Sequence, residues 1–378
     1  MRDFEKIGAL FAENFSRFGE MGASLSVWKD GAEVVSLAGG WCDRQESRPW
    51  TAGTPVLVWS ATKGPAAACV LHAMQEHGLN LETRVAEVWP EFAAGGKAEV
   101  TLGQALSHQA GVPVLERVAS VFDHAEVAAS IASQAVHWER GAGHGYGPRV
   151  FGFLLDELVR RMAGVPLGEY WRRVFGEPLG LEFWMGIPEE VQERVASVFP
   201  AKSAPPNDRF YTAFATPGSF TIRAFGSPQG LHGVASLNTR EARAGSFPGF
   251  GGIGTARGLG KFYAMLACGG VWEGRRFFEP WVMDWMTTTL TQGEDRVLLM
   301  ETAFSAGFMR DPQGADGRKL RAHFGPSVLA FGHPGAGGSL AFADPENGMG
   351  FAYVMNQMEP GVLPGPKSLR LVDAVYGG

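Results

Sequence analysis

One short stretch constrains this chain more than any other, because it joins a strand to a helix and carries two chemically active side chains. Residues 59–64 read Trp-Ser-Ala-Thr-Lys-Gly and lie between a strand-like run at 55–59 and an apolar helical run at 66–77. If the helix begins near Ser60, then Ser60 and Lys63 share one face of its first turn. A serine hydroxyl needs a base within hydrogen-bond reach to act as a nucleophile, and a lysine amine with a lowered pKa can supply that base.

The same pattern also has a purely structural interpretation. Ser-x-x-Lys is common at exposed helix starts, where the serine caps the helix, so the chemical interpretation needs partners elsewhere in the chain. One candidate is Tyr146, in the glycine-rich segment 141–148 that precedes a strong helical pattern at 151–162. A phenol beside a cationic lysine can relay the serine proton, acting first as general base and then as acid. Without Ser60 and Lys63, this tyrosine would be interpreted as a half-buried loop residue.

A second glycine-rich segment, residues 332–338, reads Gly-His-Pro-Gly-Ala-Gly-Gly and separates two strand-like runs near the C-terminus. Its amides, together with the amide of Ser60, would form an oxyanion hole. The alternative is a glycine-rich hairpin without chemistry. The segment does not match a phosphate-binding loop, since no Gly-Lys-Ser/Thr follows it and no helix is expected after it. No serine lies in Gly-x-Ser-x-Gly, so the nucleophile elbow of the α/β-hydrolases is absent.

The order of predicted elements indicates a mixed α/β (α+β) fold. Strand-like runs occur near both ends of the chain, at 23–27, 32–37, 303–309, 328–332, 339–343 and 350–355. The segment from 76 to about 195 is mostly helical, and a helical run at 167–175 is expected to stop at Gly176 and Pro178. We therefore expect an α/β domain made of residues 1–75 and 250–378, whose sheet is built by both ends of the chain. Residues 76–249 are expected to form a helical and loop-rich domain that covers the active site.

The segment from about 198 to 250 breaks the helical pattern, because it is rich in proline and glycine. Long irregular loops in a compact protein are often functional, so we expect this segment to wall a binding site. A surface excursion without a role is the alternative.

Charge and composition limit the classes of partner. The net charge of −6, with no basic run, argues against nucleic acid or an anionic membrane, and no apolar segment approaches the roughly 20 residues of a membrane span. The three cysteines form no C-x-x-C pair or zinc pattern, and no H-E-x-x-H occurs, so we expect no metal and no organic cofactor. The first residues lack the apolar core of a secretory signal, which predicts a cytoplasmic protein.

In this order, these segments resemble the serine β-lactamase and penicillin-binding-protein superfamily, and within it the family VIII carboxylesterases, which have a class C β-lactamase-like fold. Residues 60–64 match the first motif, and residues 106–113 match the family's Leu-Ser-His-x-x-Gly-(Leu/Val)-Pro stretch. Tyr146 stands where the second-motif tyrosine belongs, and residues 178–181 and 331–339 are also similar to family segments. The resemblance covers nearly the whole chain. It implies an antiparallel sheet of N- and C-terminal strands, flanked by helices, with an inserted, mostly helical domain.

The resemblance also implies roles for individual residues. Ser60 would be the acylated nucleophile, Lys63 its activating partner and Tyr146 the proton relay. The backbone amides of Ser60 and Ala336 would form the oxyanion hole.

A further set of residues is implied to bind the substrate: Trp59, Pro148, His333, Pro334 and Gly335. Two of them depart from the β-lactamase pattern. Pro148 stands where β-lactamases carry Asn or Ser, and proline offers no side-chain hydrogen bond to a lactam amide. His333 replaces a lysine that helps to hold the substrate carboxylate, and a neutral imidazole binds an anion less well. Both departures favour neutral esters over penicillin-type substrates.

We therefore expect a serine hydrolase that cleaves small, short-acyl carboxylic esters through an acyl-enzyme on Ser60. A β-lactamase, an amidase or D-peptidase, and an acyltransferase are alternatives with the same catalytic residues, and a non-catalytic binding module on this fold is an alternative of another class. The expected partner is a small-molecule ester. The eleven tryptophans suit either a homodimer interface or an acyl pocket.

Overall fold

The computed structural model describes residues 4–202 and 207–378. Residues 203–206, which fall in the predicted loop-rich segment, lie outside the described part, as do residues 1–3. The strands are β1 (Gly22–Lys29), β2 (Ala32–Gly40), β3 (Val56–Leu57), β4 (Phe183–Met185), β5 (Gly252–Gly254), β6 (Val271–Trp272), β7 (Arg275–Arg276), β8 (Thr291–Glu294), β9 (Glu301–Phe304), β10 (Met309–Arg310), β11 (Phe331–Pro334), β12 (Leu340–Asp344) and β13 (Met349–Met355).

Helices surround these strands and fill most of the segment between β3 and β5. The α-helices are α1 (Phe4–Phe18), α2 (Lys63–Glu76), α3 (Val85–Val88), α4 (Leu102–Leu106), α5 (His124–Ser133), α6 (Val150–Ala163), α7 (Leu167–Trp171), α8 (Glu177–Leu179), α9 (Arg209–Ala215), α10 (Phe220–Phe225), α11 (Val234–Leu237), α12 (Arg240–Ala244), α13 (Ala256–Ala267), α14 (Pro280–Thr287) and α15 (Pro366–Tyr376). Within the described residues, none of these helices combines the length and apolar character needed to cross a bilayer.

The main sheet has eight antiparallel strands in the order β2-β1-β13-β12-β11-β10-β9-β8. Strand β1 therefore pairs directly with the last strand, with Ala23 opposite Met355 and Lys29 opposite Met349. The turn between β1 and β2 has Asp30 at φ 50° and Gly31 at φ 79°, as the Asp-Gly signal predicts. The predicted sheet, made by both ends of the chain, is thereby confirmed.

Both faces of the sheet centre are covered by helices, which explains why its strands are buried throughout. In β12, Ala341 and Ala343 belong to the core shared with α13, whereas Leu340 and Phe342 belong to the core shared with α1 and α15. This alternation follows from the two-residue period of a strand. Small residues let α13 approach closely: a Cβ on Gly350 would lie 2.5 Å from the backbone nitrogen of Ala264.

A smaller sheet, in the order β3-β5-β4, lies beside the start of α2. Two of its strands come from the predicted α/β domain and one from the predicted helical domain, so the two parts share backbone hydrogen bonds. The domain boundaries themselves stay a prediction.

Two sequence-based predictions for the middle of the chain are wrong in detail. The helical run at 167–175 does not stop at Gly176, because a π-helical turn over Arg172–Gly176 continues into α8. Pro178 is tolerated there since it lies in the first turn of the new helical segment, where no amide donor is needed. The segment from 207 to 250 carries the short helices α9 to α12 rather than irregular loop alone.

The C-terminal strands also differ from the prediction. The run at 303–309 is two strands, β9 and β10, because the chain reverses at Gly307, where φ is 84°. The strand predicted at 328–332 begins only at Phe331, since Ser327 forms a turn by accepting hydrogen bonds from Leu329 and Ala330. As a result, His333 and Pro334 lie on strand β11 rather than in the glycine-rich loop that follows it.

Candidate active site

Ser60 lies in a tight turn of 3-10 helix, Trp59–Thr62, directly before α2. Trp59 has a φ of 52°, a left-handed conformation that costs an L-residue ~1–2 kcal/mol and that clusters at functional sites. The turn is held by hydrogen bonds, since the Thr62 hydroxyl donates to the Trp59 carbonyl at 2.5 Å and accepts from the Gly252 amide at 2.8 Å. The small sheet thus fixes the backbone around Ser60.

Lys63 is fully buried directly behind Ser60. Its Nζ lies 3.2 Å from the Ser60 Oγ and donates to the carbonyls of Pro148 at 2.8 Å and Gly249 at 2.5 Å. Within the described residues it has no carboxylate partner. Burial therefore lowers the pKa of Lys63 well below its ordinary value.

Tyr146 is buried on the other side of Ser60 and is hydrogen-bonded to the Ser60 side chain. Burial raises the pKa of Tyr146, although the Ser60 hydrogen bond acts in the opposite direction. The Lys63 Nζ lies 4.7 Å from the centre of the Tyr146 ring. Ser60, Lys63 and Tyr146, which sequence reasoning predicted as the catalytic group, are therefore in mutual contact.

Two further residues hold the loop that carries Tyr146. Asp295 is fully buried, and its carboxylate accepts the Tyr146 amide through both oxygens, at 3.1 and 3.0 Å. The His108 carbonyl accepts the Gly145 amide at 3.1 Å, and the His108 Nδ1 accepts the Gly147 amide at 3.2 Å. The amides of Tyr146 and Gly147 are thus anchored by side chains, and the amide of Gly145 by a backbone carbonyl, from distant parts of the chain.

The two residues predicted to supply the oxyanion donors border the same cavity. Ser60 and Ala336 both border it, and among the described residues neither of their amides donates a hydrogen bond to another group. Gly335 brings the loop close to Ser60, because a Cβ there would lie 2.1 Å from the Val58 carbonyl oxygen. Its amide donates to the Ser339 carbonyl at 2.6 Å.

The cavity beside Ser60 has a volume of about 410 Å³ and is lined mainly by aromatic and apolar side chains. Its lining residues include Trp59, Pro148, Arg149, Phe210, Tyr211, Phe214, Phe225, Leu231, His232, Phe250, Ala336, Met358, Glu359 and Val362. Several of them come from residues 198–250, so this segment walls the cavity as expected. In the part of the chain that the structure describes, no cluster of three or more His, Cys, Asp or Glu side chains is arranged to hold a metal ion.

Three of the residues predicted to bind substrate do not line this cavity: His333, Pro334 and Gly335. All three are buried. The His333 Nδ1–H donates to the Pro334 carbonyl at 2.7 Å, and its ring stacks on Tyr146 with ring centres 5.8 Å apart. Burial, followed by the charge of Lys63, lowers the pKa of His333 to about 3. The imidazole is therefore neutral at physiological pH and supports the tyrosine from behind.

Sequence reasoning missed Asp295, Arg149 and Glu359 as members of the site. His108 carried a signal, since it belongs to the matched stretch at 106–113. Asp295 and Glu359 carried none, because neither belongs to a recognisable motif and only the folded chain brings them to the site.

Comparisons with known proteins show the family to which the chain belongs. The family model for Beta-lactamase matches residues 11–374. The chain is 32% identical to the esterase/beta-lactamase LipL of Mycobacterium tuberculosis over 354 residues, which cover 90% of this chain and 78% of LipL.

Two solved structures are similar along nearly their whole length. A family VIII carboxylesterase shows 33% identity and a TM-score of 0.87, covering 99% of this chain and 96% of that one. A penicillin-binding-protein homologue from Caulobacter crescentus shows 35% identity and a TM-score of 0.86, with the same coverage. The resemblance that the ordered motifs indicated is thereby confirmed, and with a family match from residue 11 to residue 374 this chain belongs to the beta-lactamase family.

Proposed function

We propose that this protein is a serine carboxylesterase that hydrolyses small, short-acyl esters through an acyl-enzyme on Ser60. The observation that carries the proposal is the environment of Lys63. Among the described residues, this fully buried amine has no carboxylate partner, and it lies 3.2 Å from a serine hydroxyl. Burial lowers its pKa well below the ordinary value, which favours the neutral form that can accept a proton.

The hydrogen bonds of Lys63 fit the neutral form as well as an ammonium, which would also donate to the Ser60 oxygen. A neutral amine has two N–H donors and one lone pair, whereas an ammonium has three donors and no acceptor. Two N–H groups are used by the carbonyls of Pro148 and Gly249. In the neutral form, the lone pair is then left for the Ser60 hydroxyl, which donates its proton to Lys63 as its oxygen forms the bond to the ester carbonyl carbon.

Tyr146 completes the proton path. Since burial raises its pKa, it stays a neutral phenol in the resting enzyme and acts as a donor rather than as the first base. Tyr146 gives its proton to the departing alkoxide as the ester C–O bond breaks. The ammonium of Lys63, whose Nζ lies 4.7 Å from the centre of the Tyr146 ring, then donates a proton back to Tyr146. In deacylation, water attacks the carbonyl carbon of the acyl-enzyme and its proton passes through Tyr146 to Lys63. Ser60 then leaves and takes that proton from Lys63.

The amides of Ser60 and Ala336 supply the oxyanion hole in this mechanism. Both lack another acceptor among the described residues, so they are available for the negative charge that develops on the carbonyl oxygen. The strained backbone of Trp59 is consistent with an oxyanion hole, because the left-handed conformation of Trp59 is part of the turn that places Ser60 at the cavity.

Two observations favour esters over β-lactams. Pro148 borders the cavity without a side-chain donor, and His333 is neutral with a pKa of about 3. The relatives support the same class, since one is named an esterase/beta-lactamase and another is a family VIII carboxylesterase. A cytoplasmic location and a homodimer stay predictions from the sequence.

Hydrolysis of p-nitrophenyl acetate, butyrate and octanoate, alongside the cephalosporin nitrocefin, tests the proposal. We expect turnover of the short esters, little cleavage of nitrocefin, and loss of both labelling by a fluorophosphonate and turnover in Ser60→Ala. The exposed Ser133→Ala serves as the matched control and should behave as wild type. An active Ser60→Ala variant would refute the assignment of the nucleophile, and faster cleavage of nitrocefin than of every ester would indicate a β-lactamase.

A further inference from the structure

Arg149 is a buried cation in the wall of the active-site cavity. It follows Pro148 and directly precedes α6, which places it on the same loop as Tyr146. Its side chain is only 5% exposed, and its guanidinium carbon lies 4.8 Å from the centre of the Phe250 ring. Because Arg149 and Ser60 border one cavity, a substrate acylating the serine comes within reach of the guanidinium.

The hydrogen-bonding capacity of this guanidinium is only partly used. Of its five N–H donors, one on Nη1 is directed at His232 Nδ1 at 3.3 Å and one on Nη2 at the Gly230 carbonyl at 2.5 Å. The buried Nε has no partner among the described residues. Both partners are neutral, since burial and the charge of Arg149 lower the pKa of His232.

Among the described residues, no carboxylate compensates the charge of Arg149. Burial lowers its pKa to about 10, so the guanidinium is still charged at neutral pH, yet it forms no ion pair within the described residues. The carboxylate that borders the cavity belongs to Glu359, whose pKa burial raises to about 7, and it makes no salt bridge with Arg149. A buried cation without a counter-charge is costly, and an anion bound in the cavity would remove that cost.

We propose that Arg149 is a specificity-determining residue that binds a carboxylate carried by the substrate, so that the preferred substrates are small esters with a free carboxylate group. This inference rests on the proposed ester hydrolysis at Ser60 and narrows its substrate class. The planar guanidinium matches the geometry of a carboxylate. The anion is held by Arg149, beside Pro148, rather than by the neutral His333, so this inference replaces the neutral esters expected from the sequence. The carboxylate can belong to the acyl or the alcohol half of the ester, and both halves are tested.

Two matched substrate pairs test the proposal. The first compares 4-nitrophenyl hydrogen adipate with its methyl-capped diester, which places the carboxylate on the acyl part. The second compares 3-carboxy-4-nitrophenyl butyrate with 4-nitrophenyl butyrate, which places it on the alcohol part. Assays at about pH 6 keep Glu359 mostly protonated, given its pKa of about 7. The readout is the ratio of kcat/KM for the carboxylate ester to that for its neutral twin.

The expected result is a ratio above one for the wild type in at least one pair. Arg149→Gln should lower that ratio by ~10- to 100-fold, the range for losing a charged hydrogen bond, mainly through KM. Arg149→Lys should keep part of the preference. Arg318→Gln makes the same charge change at a side chain that is 89% exposed, and it should leave the ratio unchanged. A general disturbance of the site would lower both rates of a pair together and leave the ratio as it was.

A wild-type preference for the neutral twin in both pairs, or an unchanged ratio in Arg149→Gln, overturns the inference while ester hydrolysis stands. If wild type turns over no ester and Ser60 is not labelled by a fluorophosphonate, the proposed function fails and the inference fails with it. Should Arg149→Gln not fold, inhibition of the wild type decides: hexanoate is expected to inhibit more strongly than its neutral counterpart hexanamide, and equal inhibition overturns the inference.

Discussion

Replacing Asp295 by Asn removes a buried negative charge next to the catalytic tyrosine while keeping the shape of the side chain. The Asp295 carboxylate accepts the amide of Tyr146, the amides of Val297 and Leu298, each at 2.8 Å, and the Thr302 hydroxyl at 3.3 Å. These donors favour the charged form, but burial opposes it more strongly and raises the pKa of Asp295 to about 6. The group therefore affects folding stability in a pH range that is easy to measure.

The sign and size of the effect follow from proton linkage. An unfolded aspartate has a pKa of about 3.9, so the folded protein binds this proton more tightly than the unfolded chain does. The resulting stabilisation is fully present below about pH 4 and is lost as the pH rises through about 6; in total it is ~3 kcal/mol. Between about pH 5 and about pH 7.5 the loss is ~1.4 kcal/mol.

Urea unfolding of the wild type and Asp295→Asn at several pH values measures this loss. Because Asn does not titrate, the free energy of unfolding of the wild type minus that of the variant should fall by ~1.4 kcal/mol from about pH 5 to about pH 7.5. His144 lies 3.7 Å from the Asp295 carboxylate, but burial lowers the pKa of His144 to about 4, so it stays neutral across this window. Groups far from Asp295 titrate equally in both proteins and cancel.

Asp295→Ala provides a second comparison, in which the free energy of unfolding is lowered by a further amount at every pH. It leaves three backbone amides without their acceptor, and each unpaired buried donor costs ~1–3 kcal/mol. We expect this variant to be less stable than Asp295→Asn at every pH, with the same pH-dependent difference from the wild type. A difference that does not change with pH would refute the reasoning, because it would show that the hydrogen bonds keep Asp295 charged at all these pH values.

Two further predictions concern the helix that carries the candidate base. Lys63→Arg should lower kcat by ~10²- to 10⁴-fold, since a guanidinium stays protonated and cannot accept the Ser60 proton; recovery of the rate at alkaline pH would contradict this role. Gly64→Ala would place a Cβ 2.1 Å from the Tyr263 hydroxyl oxygen. Overpacking should therefore lower the free energy of unfolding, measured by thermal unfolding, by ~1–3 kcal/mol. An unchanged Tm would show that Tyr263 can move aside.

Local sequence signals predicted much of the fold, since strand period, helix period and turn chemistry act over a few residues. The turn at Asp30 and Gly31 and the helical pattern at 151–162, which corresponds to α6, are of this kind. Prediction failed where packing between distant segments decided the outcome. The reversal at Gly307 is one case, because its glycine is required by contact with Ala67 of α2, where a Cβ would lie 2.2 Å from the Ala67 Cβ.

The sequence by itself determined the pairing of Ser60 with Lys63, because three residues of helix bring them to one face, and the order of motifs indicated the family and Tyr146. Only the tertiary structure decided the chemical state of these groups. The pKa of Lys63 is lowered by burial among carbonyls that lie 85 and 186 residues away along the chain, and the Tyr146 loop is anchored by Asp295, 149 residues away. Desolvation and the absence of a counter-charge, at Lys63 as at Arg149, are properties of packed surroundings and have no local sequence pattern.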